Sequence, residues 1–386
     1  MSKPGDKALL PAGLADVLPP HAAQEAAVVE RLIACFAAHG YERVKPPLLE
    51  FEDTLLSGTG AALAHQTFRL MDPVSQRMMG LRADMTPQVA RIAGARLRTA
   101  PRPLRLCYAG QVLQVRGSQL RPERQFGQVG AELIGAPQER ADAEVIVLAA
   151  EALAAIGVRH LSVDLNLPPL AGTLAAGVGL DEAQVGALRQ ALDRKDVAAV
   201  DQIAGGRAEP FRALLRAAGP ADAALAALDR LSLPAAAAAD VARLRRVVDL
   251  IRAGAPDLTL TVDPAEHRGF EYQTGISFIF FARGVRGELG RGGRYAATPE
   301  SAGKGPQSST GFTLYMDSVQ RALPEPEAPR RLYVPADCGD KRGGALRAQG
   351  WVTVRGLDEG AEPEAEARRL GCGHALIGGR IVELTG

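Results

Sequence analysis

The stretch "PLRLCYAGQVLQVRGSQLRPERQFGQVGAELIG", from Pro103 to Gly135, does most to limit the fold of this 386-residue chain. Two runs of strand-like residues flank a loop that breaks at Gly117-Ser118. Parallel neighbours need a crossover of about a dozen residues or more, usually a helix. A glycine-broken polar loop supplies none, so the two strands are expected to pair antiparallel. "QTFRLMDPVSQRMMGL" repeats the pattern with a turn at Asp72-Pro73. No regular strand–helix–strand rhythm precedes residue 166. The expected class is therefore α+β, an antiparallel sheet flanked by helices, rather than a doubly wound sheet.

Helices are expected where apolar residues recur at helical spacing. Val29, Ile33 and Phe36 mark one from His21 to His39, stopped by Gly40. Another opens near Thr86, with Thr86 as N-cap and Pro87 in the first turn. "RADAEVIVLAAEALAAIG" is a third, with Asp142 in its first turn and Gly157 at its end. Residues 166–256 are rich in Ala, Leu and Arg and read as a helical insertion inside a core spanning 1–325. Strands return at "LTLTVDP" and "YQTGISFIFFARG". "RGELGRGGRYAATPESAGKGPQSSTG" reads as loop and "FTLYMDSVQRAL" as helix. "PEPEAP", Pro324 to Pro329, is a linker to a small C-terminal α/β domain, 330–386.

Bulk properties exclude several functions. The net charge of +1 gives no global basic footprint for nucleic acid. Aromatics are 4%, too few for a broad base-stacking surface. The four cysteines stand far apart, with no CxxC pair, so neither a disulfide framework nor a zinc site is expected. No apolar run approaches the ~20 residues of a membrane helix, and no secretory h-region opens the chain. The expected location is the cytoplasm.

Five stretches carry candidate chemistry. In the opening loop, Arg116, Arg121 and Arg124 are either a phosphate grip or the solvated rim of a site. "LRADMTPQ" sets Asp84 and Thr86 at a helix start, either as a cap or as a carboxylate for an ammonium. In "FGQVGAELIG" the two-residue period puts Gln128, Gly130 and Glu132 on one strand face. That face either lines a polar pocket or meets solvent. "EHRGFEYQTG" offers Arg268 as a carboxylate clamp or a surface ion pair, beside Glu271 and Tyr272. "GRGGRY" matches no phosphate-loop spacing and reads as a flexible turn. No nucleophile–base set emerges. The residues point to a polar pocket for a zwitterion.

In chain order these stretches resemble the catalytic core of class II histidyl-tRNA synthetases, from about Leu14 to Leu323. "GLADVLP" resembles the family's opening segment and "YERVKPPLLE" its motif 1. "LRADMTPQVAR" resembles the Arg-Pro-Glu-Gly-Thr segment, and the Gln111–Gln128 stretch motif 2. "RGFEYQTG" resembles the histidine-specific segment; "GGRY" and "TGFTLYMDS" resemble motif 3. The resemblance implies a histidine pocket of Asp84, Thr86, Gln128, Glu132, Arg268 and Tyr272. Gln273 stands where the family has a second tyrosine. The ATP grip does not carry over. Motif 2's Arg-x-Glu becomes Gln114 and Arg116, and motif 3's arginine becomes Ser318. Losing one such donor costs about 10²–10³ in rate.

A synthetase core that keeps its amino-acid pocket and loses its ATP grip resembles the histidine-sensing regulatory subunits of ATP phosphoribosyltransferase. That resemblance implies a chain that is not itself an enzyme and carries no cofactor or metal. It implies two partners: L-histidine, and the short-form catalytic subunit that joins ATP to phosphoribosyl pyrophosphate in the first step of histidine biosynthesis. The chain would be required for that step and mediate its feedback inhibition, as a homodimer within a hetero-oligomer, without tRNA. The alternative is a histidyl-tRNA synthetase that activates histidine with ATP through other arginines.

Overall fold

A computed structural model describes residues 9–118, 121–267, 273–297 and 307–384. The chain divides into two compact units, Met1–Pro324 and Glu325–Gly386. In the first unit α1 (His21–Ala38) precedes the short strands β1 (Glu42–Arg43) and β2 (Leu49–Phe51) and the single turn α2 (Glu52–Leu55). The hairpin β3 (Arg69–Met71) and β4 (Met78–Leu81) leads to α3 (Thr86–Ala95). The long hairpin β5 (Leu104–Leu113) and β6 (Gln125–Ile134) follows, then α4 (Glu139–Ile156) and β7 (Leu161–Asn166). Between β7 and β9 (Thr259–Asp263) lie α5 (Pro169–Gly177), α6 (Glu182–Asp193), α7 (Val197–Ala204), α8 (Glu209–Ala217), α9 (Ala221–Leu228) and α10 (Ala235–Gly254). One two-residue strand, β8 (Gly219–Pro220), interrupts them and pairs with β9. β10 (Gln273–Ala282), β11 (Gly290–Ala297), β12 (Gln307–Tyr315) and α11 (Met316–Ala322) complete the unit.

The main sheet runs β1-β5-β6-β12-β11-β10-β7-β9-β8. β1 with β5 and β7 with β9 are parallel; every other pair is antiparallel. The α+β class with an antiparallel sheet flanked by helices is thus present. Its two faces differ. Val129, Ala131, Leu133, Phe312, Leu314, Phe278 and Phe280 are buried in one core with Leu32 and Phe36 of α1 and Ile146 and Leu153 of α4. Alternation sends the neighbouring residues of the same strands to the opposite face.

Two expectations fail here. "GRGGRY" is not a flexible turn but β11, and "FTLY" is not helix but the end of β12. The glycines of β11 hide a two-residue period, because the sheet face they leave bare is filled by long side chains from adjacent strands. The helix begins only at Met316. A smaller correction concerns α3. Thr86 is its first residue and Met85 its N-cap, and the capping carboxylate is that of Asp84, which accepts from the Thr86 N–H at 2.8 Å.

The second unit pairs β13 (Arg331–Val334), β14 (Val352–Arg355), β15 (His374–Ile377) and β16 (Arg380–Glu383) in the order β14-β13-β15-β16. α12 (Asp340–Ala348) and α13 (Pro363–Arg369) connect its parallel strands. Among the described residues no helix is long and apolar enough to cross a membrane, and no group of side chains could hold a metal ion. All four cysteines are unpaired.

Candidate functional site

Register defines the floor of a cavity of about 190 Å³. Glu132 pairs with Gly311, and Gly311 with Gly293. One row along, Tyr108 pairs with Gly130, Gly130 with Thr313, and Thr313 with Arg291. Gln128 pairs with Tyr315 in the next row. All these positions share the face opposite the α1–α4 core. The pocket reading of Gln128, Gly130 and Glu132 therefore prevails over the solvent-facing one, and both side chains are only 1% exposed.

The segment Arg82–Thr86 closes the cavity from above. Buried Arg82 anchors it, donating through Nε to Gln111 O at 2.7 Å and through Nη1 to Pro46 O at 3.0 Å. Gln128 then clamps the segment from below. Its Nε2 donates to Asp84 Oδ2 at 2.9 Å, and its Oε1 accepts from the Met85 N–H at 3.0 Å. Asp84 thus has one oxygen on the helix start and one on Gln128. Asp84, Thr86 and Glu132 line the cavity.

Glu132 lies at the bottom. Tyr295 donates to its Oε2 at 3.0 Å, and the Tyr108 hydroxyl lies 3.5 Å from its Oε1. Tyr108 also meets Thr313 Oγ1 at 2.7 Å and Thr86 Oγ1 at 3.3 Å. Burial pushes the Glu132 carboxyl up to about 8. The hydroxyls of Tyr295, Thr86 and Tyr108 pull it down, and Asp84 nearby adds to the rise. Burial likewise holds the Tyr108 phenol far above its ordinary value, so it stays a neutral donor. Two glycines make this packing possible. A Cβ on Gly311 would overlap the Glu132 carboxylate, and one on Gly130 would sit 2.5 Å from the Tyr108 hydroxyl.

Of the six residues expected at the site, the structure brings together Asp84, Thr86, Gln128 and Glu132. Arg268 and Tyr272 lie outside the described residues. Gln273, which follows them, lines the cavity. Sequence reasoning missed Tyr108, Tyr295, Thr313 and Arg291. Their signal was the two-residue period of β5, β11 and β12, obscured in β11 by its glycines.

Of the positions compared above with the synthetase ATP grip, Gln114 lines the cavity, and Ser318 is buried and accepts from Arg321 Nη2 at 2.9 Å. Of the loop arginines, Arg116 is exposed, as a solvated rim would be, whereas Arg121 and Arg124 are taken up within the protein. Arg121 lies over the Tyr315 ring at 3.6 Å with its side chain 15% exposed, paired with Glu288 and Asp317. Arg124 donates to Ala12 O at 3.1 Å and Gln114 O at 3.3 Å, tying the N-terminal segment to the hairpin.

Known proteins are similar to this chain in sequence and fold. The sequence model of the histidyl-tRNA synthetase family matches residues 13–319. An ATP phosphoribosyltransferase regulatory subunit of Rhodospirillum centenum is 59% identical over 377 residues, 98% of this chain and 96% of that one. Its counterpart from Paramagnetospirillum magneticum is 57% identical over 384 residues, covering both chains in full. A solved Bacillus halodurans protein described as an ATP phosphoribosyltransferase regulatory subunit/histidyl-tRNA synthetase superposes with a TM-score of 0.81 at 24% identity, over 95% of this chain and 97% of that one. A histidyl-tRNA synthetase from a Nostoc species gives 0.80 at 17% identity, over 98% and 97%. At such identities these two structures speak for the fold alone. The near-complete match to the first two proteins goes further: this chain belongs to the ATP phosphoribosyltransferase regulatory subunit family, built on the histidyl-tRNA synthetase core.

Proposed function

We propose that the chain performs no chemistry itself and senses L-histidine for the enzyme it regulates. It joins the short-form catalytic subunit of ATP phosphoribosyltransferase, completes the complex for the first step of histidine biosynthesis, and carries feedback inhibition by histidine. The observation that carries this reading is Glu132. It is a fully buried carboxyl group on a cavity floor, hydrogen-bonded among the described residues only to hydroxyls. Its charged form would be an anion buried without a cation, which is costly, and this holds the proton on it up to about pH 8. A zwitterion with a basic ring supplies what is missing: its imidazole toward Glu132, its ammonium toward Asp84 and Thr86. In this reading Gln128 holds Asp84 in place, and Arg268 and Tyr272 contribute to histidine binding as the resemblance implies, Arg268 toward the ligand carboxylate.

Feedback then requires only that histidine bind one state of the complex more tightly than the other. Gln114 and Ser318 at the ATP positions support the absence of amino-acid activation. Calorimetric titration of histidine into wild type and Glu132→Ala, alone and with the catalytic subunit, tests both halves. Tight binding by wild type, lost in the variant, together with a complex that forms phosphoribosyl-ATP and is inhibited by histidine, is the expected result. Equal affinity in both proteins would remove the pocket from the sensing role. Histidine-dependent exchange of pyrophosphate into ATP would favour a synthetase instead.

A further inference from the structure

Arg291 and Tyr315 line the cavity, and the arginines in and behind this part of its wall are already occupied. Arg291 stands on β11, offset from Glu132 by one row, about 7 Å along the strands by the two-residue rise, and two strands across. It grips Glu288 with both arms of its guanidinium, Nε to Oε2 at 3.1 Å and Nη2 to Oε1 at 2.8 Å. Arg121 reaches the same Glu288 at 3.4 Å and Asp317 at 3.4 Å. Arg321 reaches Asp317 at 3.3 Å and Glu123 at 3.3 Å. Three guanidinium groups therefore face three carboxylates. The Glu288 and Asp317 side chains are only 16% and 11% exposed, so solvent and salt screen these pairs less than ordinary surface ones. Tyr315, the aromatic ring in this part of the wall, has one face covered by Arg121 at 3.6 Å.

A nucleoside triphosphate needs cationic donors for its phosphates and a free ring or apolar face for its base. Here the donors point at carboxylates and the ring carries a guanidinium. We propose that Glu288 and Asp317 are built-in counter-anions. They take the place that phosphates would occupy and close this part of the cavity to nucleoside triphosphates. Loss of the two inherited ATP positions is then only half of the change. The other half is neutralisation, from within the chain, of the arginines that are still there. The consequence, which rests on the histidine-sensing reading above, is that the pocket reads histidine regardless of ATP, the substrate of the enzyme being regulated.

The test uses the full chain and ATP as the probe. For wild type, calorimetry should detect no ATP binding, and histidine affinity should be the same with and without ATP. In Glu288→Gln/Asp317→Asn the arginines are released. ATP affinity should rise at least about tenfold, through freed charge-assisted hydrogen bonds. The gain should shrink with added salt and vanish when Arg121→Met is introduced into the same background. Glu288→Gln alone should give a smaller gain, and it decides the matter if the double variant does not fold. Wild type that binds ATP, with Arg121→Met weakening that binding, overturns the proposal. So does a folded variant that gains no ATP affinity. A wild type that fails to bind histidine strikes the histidine reading instead, and the ATP titrations still score the counter-anions.

Discussion

Replacing Glu132 by glutamine should strengthen the fold at alkaline pH while weakening the proposed histidine binding. Burial raises the carboxyl from 4.5 to about 8, so the folded chain holds a proton that the unfolded chain has released across that window. Stability must then fall as pH rises from 4.5 to 8, because the native state binds more protons than the unfolded one. Below 4.5 the group is protonated in both states and contributes nothing; above 8 the whole cost stands. Carried over in full, the displacement corresponds to at most about 5 kcal/mol. Glutamine keeps the shape, can still accept from Tyr295, and has no charge to bury. Thermal melts of both proteins without histidine, from pH 5 to 8.5, should therefore show a melting-temperature difference that opens in favour of Glu132→Gln by several degrees as pH rises. Histidine affinity should move the other way, weakening about 10–150-fold with loss of a charged hydrogen-bond partner. A difference that stays flat with pH, or a wild type that is the more stable at pH 8, would refute the claim that Glu132 is a costly buried acid.

Three further changes probe the scaffold. Gly130→Ala places a methyl 2.5 Å from the Tyr108 hydroxyl and should cost about 1–3 kcal/mol in urea unfolding, with weaker histidine binding because Tyr108 must move. Asp142→Ala strands Arg294, 4% exposed and otherwise held at 3.0 Å by that carboxylate, and should cost about 3–5 kcal/mol. The pair lies on the sheet face away from the cavity, so the folded protein should titrate histidine as wild type does. Melts with and without reductant should coincide, since Cys35, Cys107, Cys338 and Cys372 are all unpaired.

What the sequence made legible follows from where local signals were undisturbed. The β5–β6 hairpin, α1 and α4 each carry their period over ten residues or more, and each forms as read. Gln128 and Glu132 were legible as neighbours because one strand sets both. Their union with Asp84 was not readable from spacing, since 44 residues separate Asp84 from Gln128 and only the sheet closes that distance. Resemblance to a known core supplied it. β11 was misread because a glycine strand has no pattern of its own; its partners supply the side chains. Arg121 was misread because its surroundings, Glu288, Asp317 and Tyr315, come from segments 167 or more residues away.

Two parts of the cavity wall resolve the same physical problem in opposite ways. In and behind one the chain pairs each guanidinium with a carboxylate of its own, and nothing from outside is needed to balance charge. In the other it buries Glu132 among hydroxyls and leaves the balance to be made. Packing does not require an acid there, because glutamine or methionine fills similar space without the desolvation cost. An acid is useful at that position when a cation arrives; on the proposed reading, feedback draws on the free energy then released only as far as it differs between two states of the complex. On this argument histidine affinity should rise with pH up to about 6.5, stay level from there to about 8, where the Glu132 proton passes to the imidazole, and fall above about 8, where the ion pair must take up a proton. A titration series across that range, repeated on Glu132→Gln, separates the two contributions: the variant keeps only the part that belongs to the ligand.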